Sequence, residues 1–191
     1  MAASLSGLLE RIANDLATRR APARMATKVV AIDGQGGAGK STFARHLAAF
    51  LGNAEIVHTD DFASWDDPVD WWPRMVDLVL EPLARNEEVL RFEATPWEAG
   101  RAPEWVEIGP TPVLLLEGVT ASRAAFHPYL TYSIWIEAAA EVRLARGLDR
   151  DGPESRHQWE RWMASEDEYR IRERPDERAD LVVRGDANLW S

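Results

Sequence analysis

The sequence predicts an α/β fold in which a five-stranded parallel sheet is covered by helices on both faces. Three observations predict it. Five short runs are apolar almost throughout, as strands buried on both sides must be. Segments of helical periodicity separate these runs. The first run passes straight into a glycine-rich turn and then a helix, KVVAIDGQGGAGKST.

Residues 5–19 place Leu5, Leu8, Leu9, Ile12 and Leu16 at helical spacing, with Glu10, Arg11, Asn14 and Asp15 on the other side. This predicts a packed amphipathic helix in an N-terminal segment, 1–24; the acidic residues are wrong for a transit peptide. KVVAID, residues 28–33, reads as the first strand and residues 42–51 as its helix. AEIVH, residues 54–58, reads as the second strand, stopping at Thr59, Asp60 and Asp61. Residues 66–85 carry Trp71, Trp72, Met75, Leu78, Val79 and Leu83 in a helical pattern, with Pro73 near the start, where proline is tolerated. Residues 89–93 and 105–108 can pair as a short ribbon. Then follow PVLLLE, a helical 122–126, YSIWI, helices over 138–148 and 154–171, and ADLVV.

With 191 residues, 46% of them hydrophobic, the chain suits one core. The expected organisation is a single domain with an insertion at 62–108 and a mobile cover at 143–156. No run approaches the roughly 18 apolar residues of a membrane span, and the N-terminus lacks a basic-then-apolar secretory pattern, so a cytoplasmic protein with no membrane partner is expected. There are no cysteines, hence no disulfide and no thiolate metal site. His46, His58, His127 and His157 show no ligand spacing for a transition metal. A formal net charge of −10 disfavours nucleic acid as a partner. Monomer and homodimer both stay open.

Of the 22 basic residues only Lys28 and Lys40 are lysines, and Lys40 lies in the glycine run. Gly34, Gly39, Lys40 and Ser41 satisfy GxxxxGK[ST], the phosphate-binding loop. Gly34, Gly36, Gly37, Ala38 and Gly39 let the backbone curl until several N–H groups face one anion, and the helix that follows adds its positive end. A compact ammonium fits between phosphates where a broad guanidinium would not. Ser41 offers a hydroxyl for magnesium, and Thr42 completes the motif.

Ligands gather at the carboxyl ends of parallel strands. Asp60 and Asp61 follow the second strand, and phosphoryl transfer to a hydroxyl wants a carboxylate there. One of the two is expected to be catalytic and the other structural or metal-associated. Glu117 ends VLLLE, where a second acidic group meets magnesium through water. Arg143, Arg146 and Arg150 fall at i, i+3 and i+7, on one helical face, suited to a cover that closes on a triphosphate. The competing reading gives Arg143 to salt bridges with Glu137 and Glu141.

DGQGGAGKST, HTDDF, the paired 89–108 segment, VLLLEGV, RLARGLDRDG and ADLVV, in this order, resemble the uridine kinase-like branch of P-loop small-molecule kinases. The resemblance runs over about residues 29–183. It implies a three-layer P-loop NTPase fold with a five-stranded parallel core, ATP and Mg2+ as cofactors, Asp60 as general base, Arg146 and Arg150 in a lid, and adenine near residues 184–188. The chain departs from that family after Asp60, where serine, phenylalanine and tyrosine are usual and Asp61, Phe62 and Ala63 stand instead. Trp65, Trp71, Trp72, Trp97 and Trp105, with Asp66, Asp67 and Asp70, fill the next stretch. Aromatic faces and carboxylates favour an uncharged or cationic small-molecule acceptor over a nucleotide monophosphate. Asp61, Phe62, Trp71, Trp72, Arg91, Trp97 and Glu117 are expected to face it.

Rival readings remain. A regulatory GTPase would need an NKxD motif, which two lysines at 28 and 40 cannot supply. An ATPase without a small-molecule acceptor would need a polymer-binding surface or a hydrolysis site. A nucleoside monophosphate kinase would hold its acceptor phosphate with arginines, for which Arg74, Arg91, Arg101 and Arg123 are candidates.

Overall fold

The computed structural model describes residues 4–22, 25–64, 69–96 and 102–185. Five strands form one parallel sheet: β1 (Lys28–Asp33), β2 (Glu55–His58), β5 (Val113–Glu117), β6 (Leu130–Glu137) and β7 (Leu181–Arg184), in the order β2-β5-β1-β6-β7. β1 is central, pairing through Val30 with Leu115 of β5 and Tyr132 of β6. Its alternate side chains feed two cores. Val30 and Ile32 pack with α1 (Leu5–Thr18) and α2 (Lys40–Phe50); Val29 and Ala31 pack with Trp71, Met75, Val79 and Phe126 on the opposite face. This is the three-layer P-loop arrangement expected from the sequence.

The helices differ from expectation in instructive ways. α2 starts at Lys40 rather than residue 42, because Gly39, at φ 100°, makes the left-handed turn that opens it. The pattern over 66–85 becomes α3 (Trp72–Met75), a wide π turn (Val76–Leu80) and α4 (Glu81–Ala84). Pro82 has no N–H to give the carbonyl four residues back, so the α ladder is already interrupted where the π turn ends. The expected helix at 122–126 is a 3₁₀ segment, Ala124–Tyr129, containing Pro128. β3 (Leu90–Ala94) and β4 (Glu104–Ile108) form the antiparallel ribbon, burying Leu90 and Phe92. After β6 come α5 (Ala140–Asp151), α6 (Arg156–Glu173) and the single turn α7 (Pro175–Arg178).

Parallel strands put Asp33, His58, Glu117, Glu137 and Arg184 at one edge. Asp33 ties that edge together. Its fully buried carboxylate accepts from Gly34 N (2.6 Å), Thr120 N (3.0 Å), Ser122 N and Oγ (2.9 and 2.7 Å) and Tyr169 Oη (2.8 Å). Burial pushes its carboxyl above the usual value, against the pull of these donors. Among the described residues no helix is long and apolar enough to cross a membrane.

Candidate active site

The phosphate loop connects β1 to α2 and curls as its glycines allow. Gly37 sits at φ 76°, and a Cβ there would come within 2.5 Å of the Arg143 carbonyl oxygen, so only glycine fits this crossing. Gly34 and Ala38 support the loop from behind, Gly34 through Asp33 and Ala38 in the core below. Gly36, Gly37, Gly39, Lys40, Ser41 and Thr42 line a cleft of about 290 Å³. Lys40 is buried, and its Nζ donates to Gln35 O (3.0 Å), which places the ammonium inside the curl.

Facing the loop across the cleft are the ends of β5 and β2. Ser41 Oγ donates to Glu117 Oε1 (3.1 Å), and His58 Nδ1 lies 2.7 Å from Glu117 Oε2. Burial alone would raise Glu117; the hydrogen bond from His58, with Lys40 and Ser41, outweighs it and holds the carboxyl below the ordinary range. The same bond raises His58, against burial. Asp60 follows in the 3₁₀ turn Thr59–Asp61 and lines the cleft. Its side chain is open to cleft water, yet protein crowds it elsewhere, and that desolvation raises its carboxyl despite Lys40. Asp61 is half-buried and shifts the same way for the same reason.

Asp60 also belongs to a second cavity, of about 10 Å³, walled by Thr59, Asp60, Ala63, Val69, Trp71, Val119, Trp162 and Glu166. Of the residues expected to face an acceptor, Trp71 lines this cavity. Phe62 is buried behind it, 6.0 Å from the Trp71 ring and 4.8 Å from Phe92. Trp72 lies under the Arg123 guanidinium, 5.3 Å away. Arg91 is not brought to either cavity: it pairs with Glu107 (3.2 Å) and covers Trp105 on the exposed ribbon. Trp97, Arg101 and most of the expected adenine segment lie outside the described residues. Arg74 donates to Glu93 O (2.8 Å) and Thr95 Oγ1 (3.2 Å), and buried Arg123 donates to Val69 O (2.6 Å) and pairs with Glu173 (3.4 Å).

The three arginines of α5 do not act as one face. Arg143 is buried and pairs with Glu166 (3.4 Å) and Asp167 (4.0 Å), not with Glu137 or Glu141. Arg146 and Arg150 do line the cleft. Arg146 bridges Gly37 O (3.2 Å) and Gly185 O (3.0 Å), joining the phosphate loop to the end of β7. Arg150 is held bidentate by Asp151 (2.7 and 2.9 Å) and sits 5.5 Å from the Trp159 ring.

Helix α6 supplies what sequence reasoning missed. Gly36 N donates to Glu166 Oε2 (3.0 Å), and Gln35 Nε2 donates to Asp167 Oδ1 (2.5 Å). Glu166 is 3% exposed, and burial pushes its carboxyl up against the opposing effect of Lys40. Trp159, Trp162, Glu166 and Tyr169 fall at i, i+3, i+7 and i+10, so helical spacing alone groups them on one face. A carboxylate among aromatics on a helix's inward face was the signal available.

The cleft's donor set is phosphate-like in its demands: backbone N–H groups, one ammonium and a helix N-terminus on one wall. Ser41 and Glu117 bring two hard oxygen donors together, which suits magnesium. Among the described residues no three His, Asp or Glu side chains cluster to hold a metal, so such an ion would complete its shell with water and phosphate oxygens, as magnesium commonly does.

No family model matches the chain, and no curated protein matches it. Solved structures do. A candidate uridine kinase from Bacillus stearothermophilus superposes with a TM-score of 0.68 at 20% identity, over 93% of this chain and 96% of that one. A candidate fructose transport system kinase from Silicibacter sp. TM1040 gives 0.67 at 20% identity, over 94% and 98%. Nearly the whole of each chain takes part, and the chain therefore has the P-loop kinase fold, in its uridine kinase-like form.

Proposed function

We propose that the chain is an ATP-dependent kinase that transfers the γ-phosphoryl group to a hydroxyl of a small molecule, a nucleoside or a similar uncharged or cationic acceptor. One observation carries this reading: Asp60 stands on the wall shared by the phosphate cleft and the small second cavity. A carboxylate between a donor site and a closed pocket is where a base for an acceptor hydroxyl belongs.

The residues then divide the work. The loop backbone and Lys40 hold the triphosphate tail and offset its charge, as preorganised donors that need no rearrangement during transfer. Arg146 and Arg150 add positive charge from the α5 side. Ser41 and Glu117 would hold magnesium, which would offset the negative charge of the phosphates. The acceptor oxygen bonds to the γ-phosphorus as the bond from that phosphorus to the β–γ bridging oxygen breaks. The hydroxyl proton passes to Asp60, and ADP leaves. His58 holds Glu117 in its orientation and keeps it ionised.

The direct test is a screen of nucleosides, nucleotides, sugars and amino alcohols for ATP consumption with a product heavier by one phosphoryl group. Phosphorylation of a hydroxyl compound is the expected result. ATP hydrolysis with no phosphorylated product under any acceptor would replace this reading with that of an ATPase.

A further inference from the structure

We infer that Asp167 is a positioning residue of the donor site: through the Gln35 side chain it sets the curl of the phosphate loop and the place of the Lys40 ammonium. The inference rests on the kinase reading and goes further into the same site.

Residues 34–39 read GQGGAG, so Gln35 is the one residue of the curl with a polar side chain. Glycine-rich backbone has many conformations to lose, and a loop that must present one of them needs an anchor. Gln35 is 5% exposed, and its Nε2 donates to Asp167 Oδ1 (2.5 Å), 132 residues away on α6. Its carbonyl does separate work. Gln35 O accepts from Ala38 N (3.1 Å), which closes the turn over 35–38, and from Lys40 Nζ (3.0 Å). One residue thus joins α6 through its side chain and the ammonium through its backbone.

Neither Gln35 nor Asp167 lines the phosphate cleft, so their influence on a bound triphosphate passes through the loop. The surroundings support the anchor. The guanidinium of buried Arg143 reaches Glu166 Oε2 (3.4 Å) with one nitrogen and Asp167 Oδ1 (4.0 Å) with another. Two carboxylates of α6 are thereby set side by side, Glu166 receiving Gly36 N (3.0 Å) and Asp167 receiving Gln35 Nε2. A side chain at residue 36 would forbid this approach, since a Cβ there would come within 2.9 Å of Glu166 Oε1. Two consecutive loop residues are held from one helix, and Arg143 offsets part of the charge that would otherwise repel a triphosphate. An ionised acceptor makes the stronger hydrogen bond, which suits an anchor.

The test begins with the lysine itself. The chain has two lysines, Lys28 and Lys40, so isotope-labelled lysine gives two side-chain NMR signals, that of Lys40 identified by its loss in Lys40→Ala. Lys28, whose Nζ donates to Leu16 O (2.6 Å), is the internal control. Asp167→Ala and Gln35→Leu should each move the Lys40 signal and leave that of Lys28 in place. Calorimetry with ATP and magnesium should show binding weakened about tenfold in either variant, the scale of one hydrogen bond to a charged group. The double variant should bind no more weakly, because both changes remove the same bond. Asp167→Asn, which keeps a weaker acceptor oxygen, should fall between Asp167→Ala and the unmodified chain. A stationary Lys40 signal, ATP affinity unchanged or higher in Asp167→Ala, or additive losses in the pair would overturn the inference. A purely structural role would lower the denaturant midpoint and move neither readout. If Gln35→Leu does not fold, Asp167→Ala, at a side chain 58% exposed, decides. Failure of the unmodified chain to bind ATP would sink the kinase reading itself and leave the NMR result to judge Asp167.

Discussion

Two cavities share Asp60, Val119, Trp162 and Glu166, and their remaining walls are built on different plans. The phosphate side, about 290 Å³, has one wall of nearly consecutive residues between 36 and 42, faced by Asp60, Glu117, Arg146, Arg150 and the α6 residues Trp162 and Glu166. The proposed acceptor side, about 10 Å³, is made of side chains from β2's end, the segment before α3, the turn after β5 and helix α6. On the proposed kinase reading, the wall that takes the same triphosphate in every turnover can be rigid and local. A site that must admit one alcohol and exclude water has reason to close, because water in it would accept the phosphoryl group instead.

The difference can be broken from either side. Lys40→Ala should have the largest effect, lowering turnover by about a hundredfold to a thousandfold, since a preorganised charge at the transferring group is lost; steady-state kinetics with any accepted alcohol measures it. Arg143→Met removes the buried partner of Glu166 and loosens the helix common to both sides. It should cost about 3 kcal/mol of stability, read as a lower midpoint in denaturant. Trp71→Leu, at a ring that lines the small cavity and not the cleft, should sharpen the contrast: KM for the acceptor rises while nucleotide affinity, followed by calorimetry, changes little. The smallest effect is in pH. A base works only when ionised, and desolvation raises Asp60 above the 3.8 of an ordinary aspartate, so the rate should fall as pH drops through a value higher than 3.8. That acid limb should be missing from any residual activity of Asp60→Asn.

The same contrast explains how much could be read from the chain. The phosphate loop, the strand ends carrying Asp60 and Glu117, and the sheet itself were legible because their signals are contiguous: a glycine spacing, apolar runs, an acidic residue at the end of each. The acceptor side was not. Glu166 meets Gly36 across 130 residues, and the one local mark of an inward carboxylate is its helical spacing with Trp159, Trp162 and Tyr169, which does not say what it meets. Arg143, Arg146 and Arg150 show the limit of helical spacing: they share a face by periodicity, yet packing against α6 buries the first and leaves the other two at the cleft. The tryptophans divide in the same manner, Trp71 lining the cavity and Trp105 lying on the exposed ribbon.

The central claim is that Asp60, one of two carboxylates lining both cavities, is the base, and Asp60→Asn measured in two ways tests it most directly. Nucleotide binding by calorimetry should stay near that of the unmodified chain, while single-turnover phosphoryl transfer to the acceptor should fall by about a hundredfold or more, the usual worth of a general base. Transfer at an undiminished rate in the Asp60→Asn variant would contradict the account.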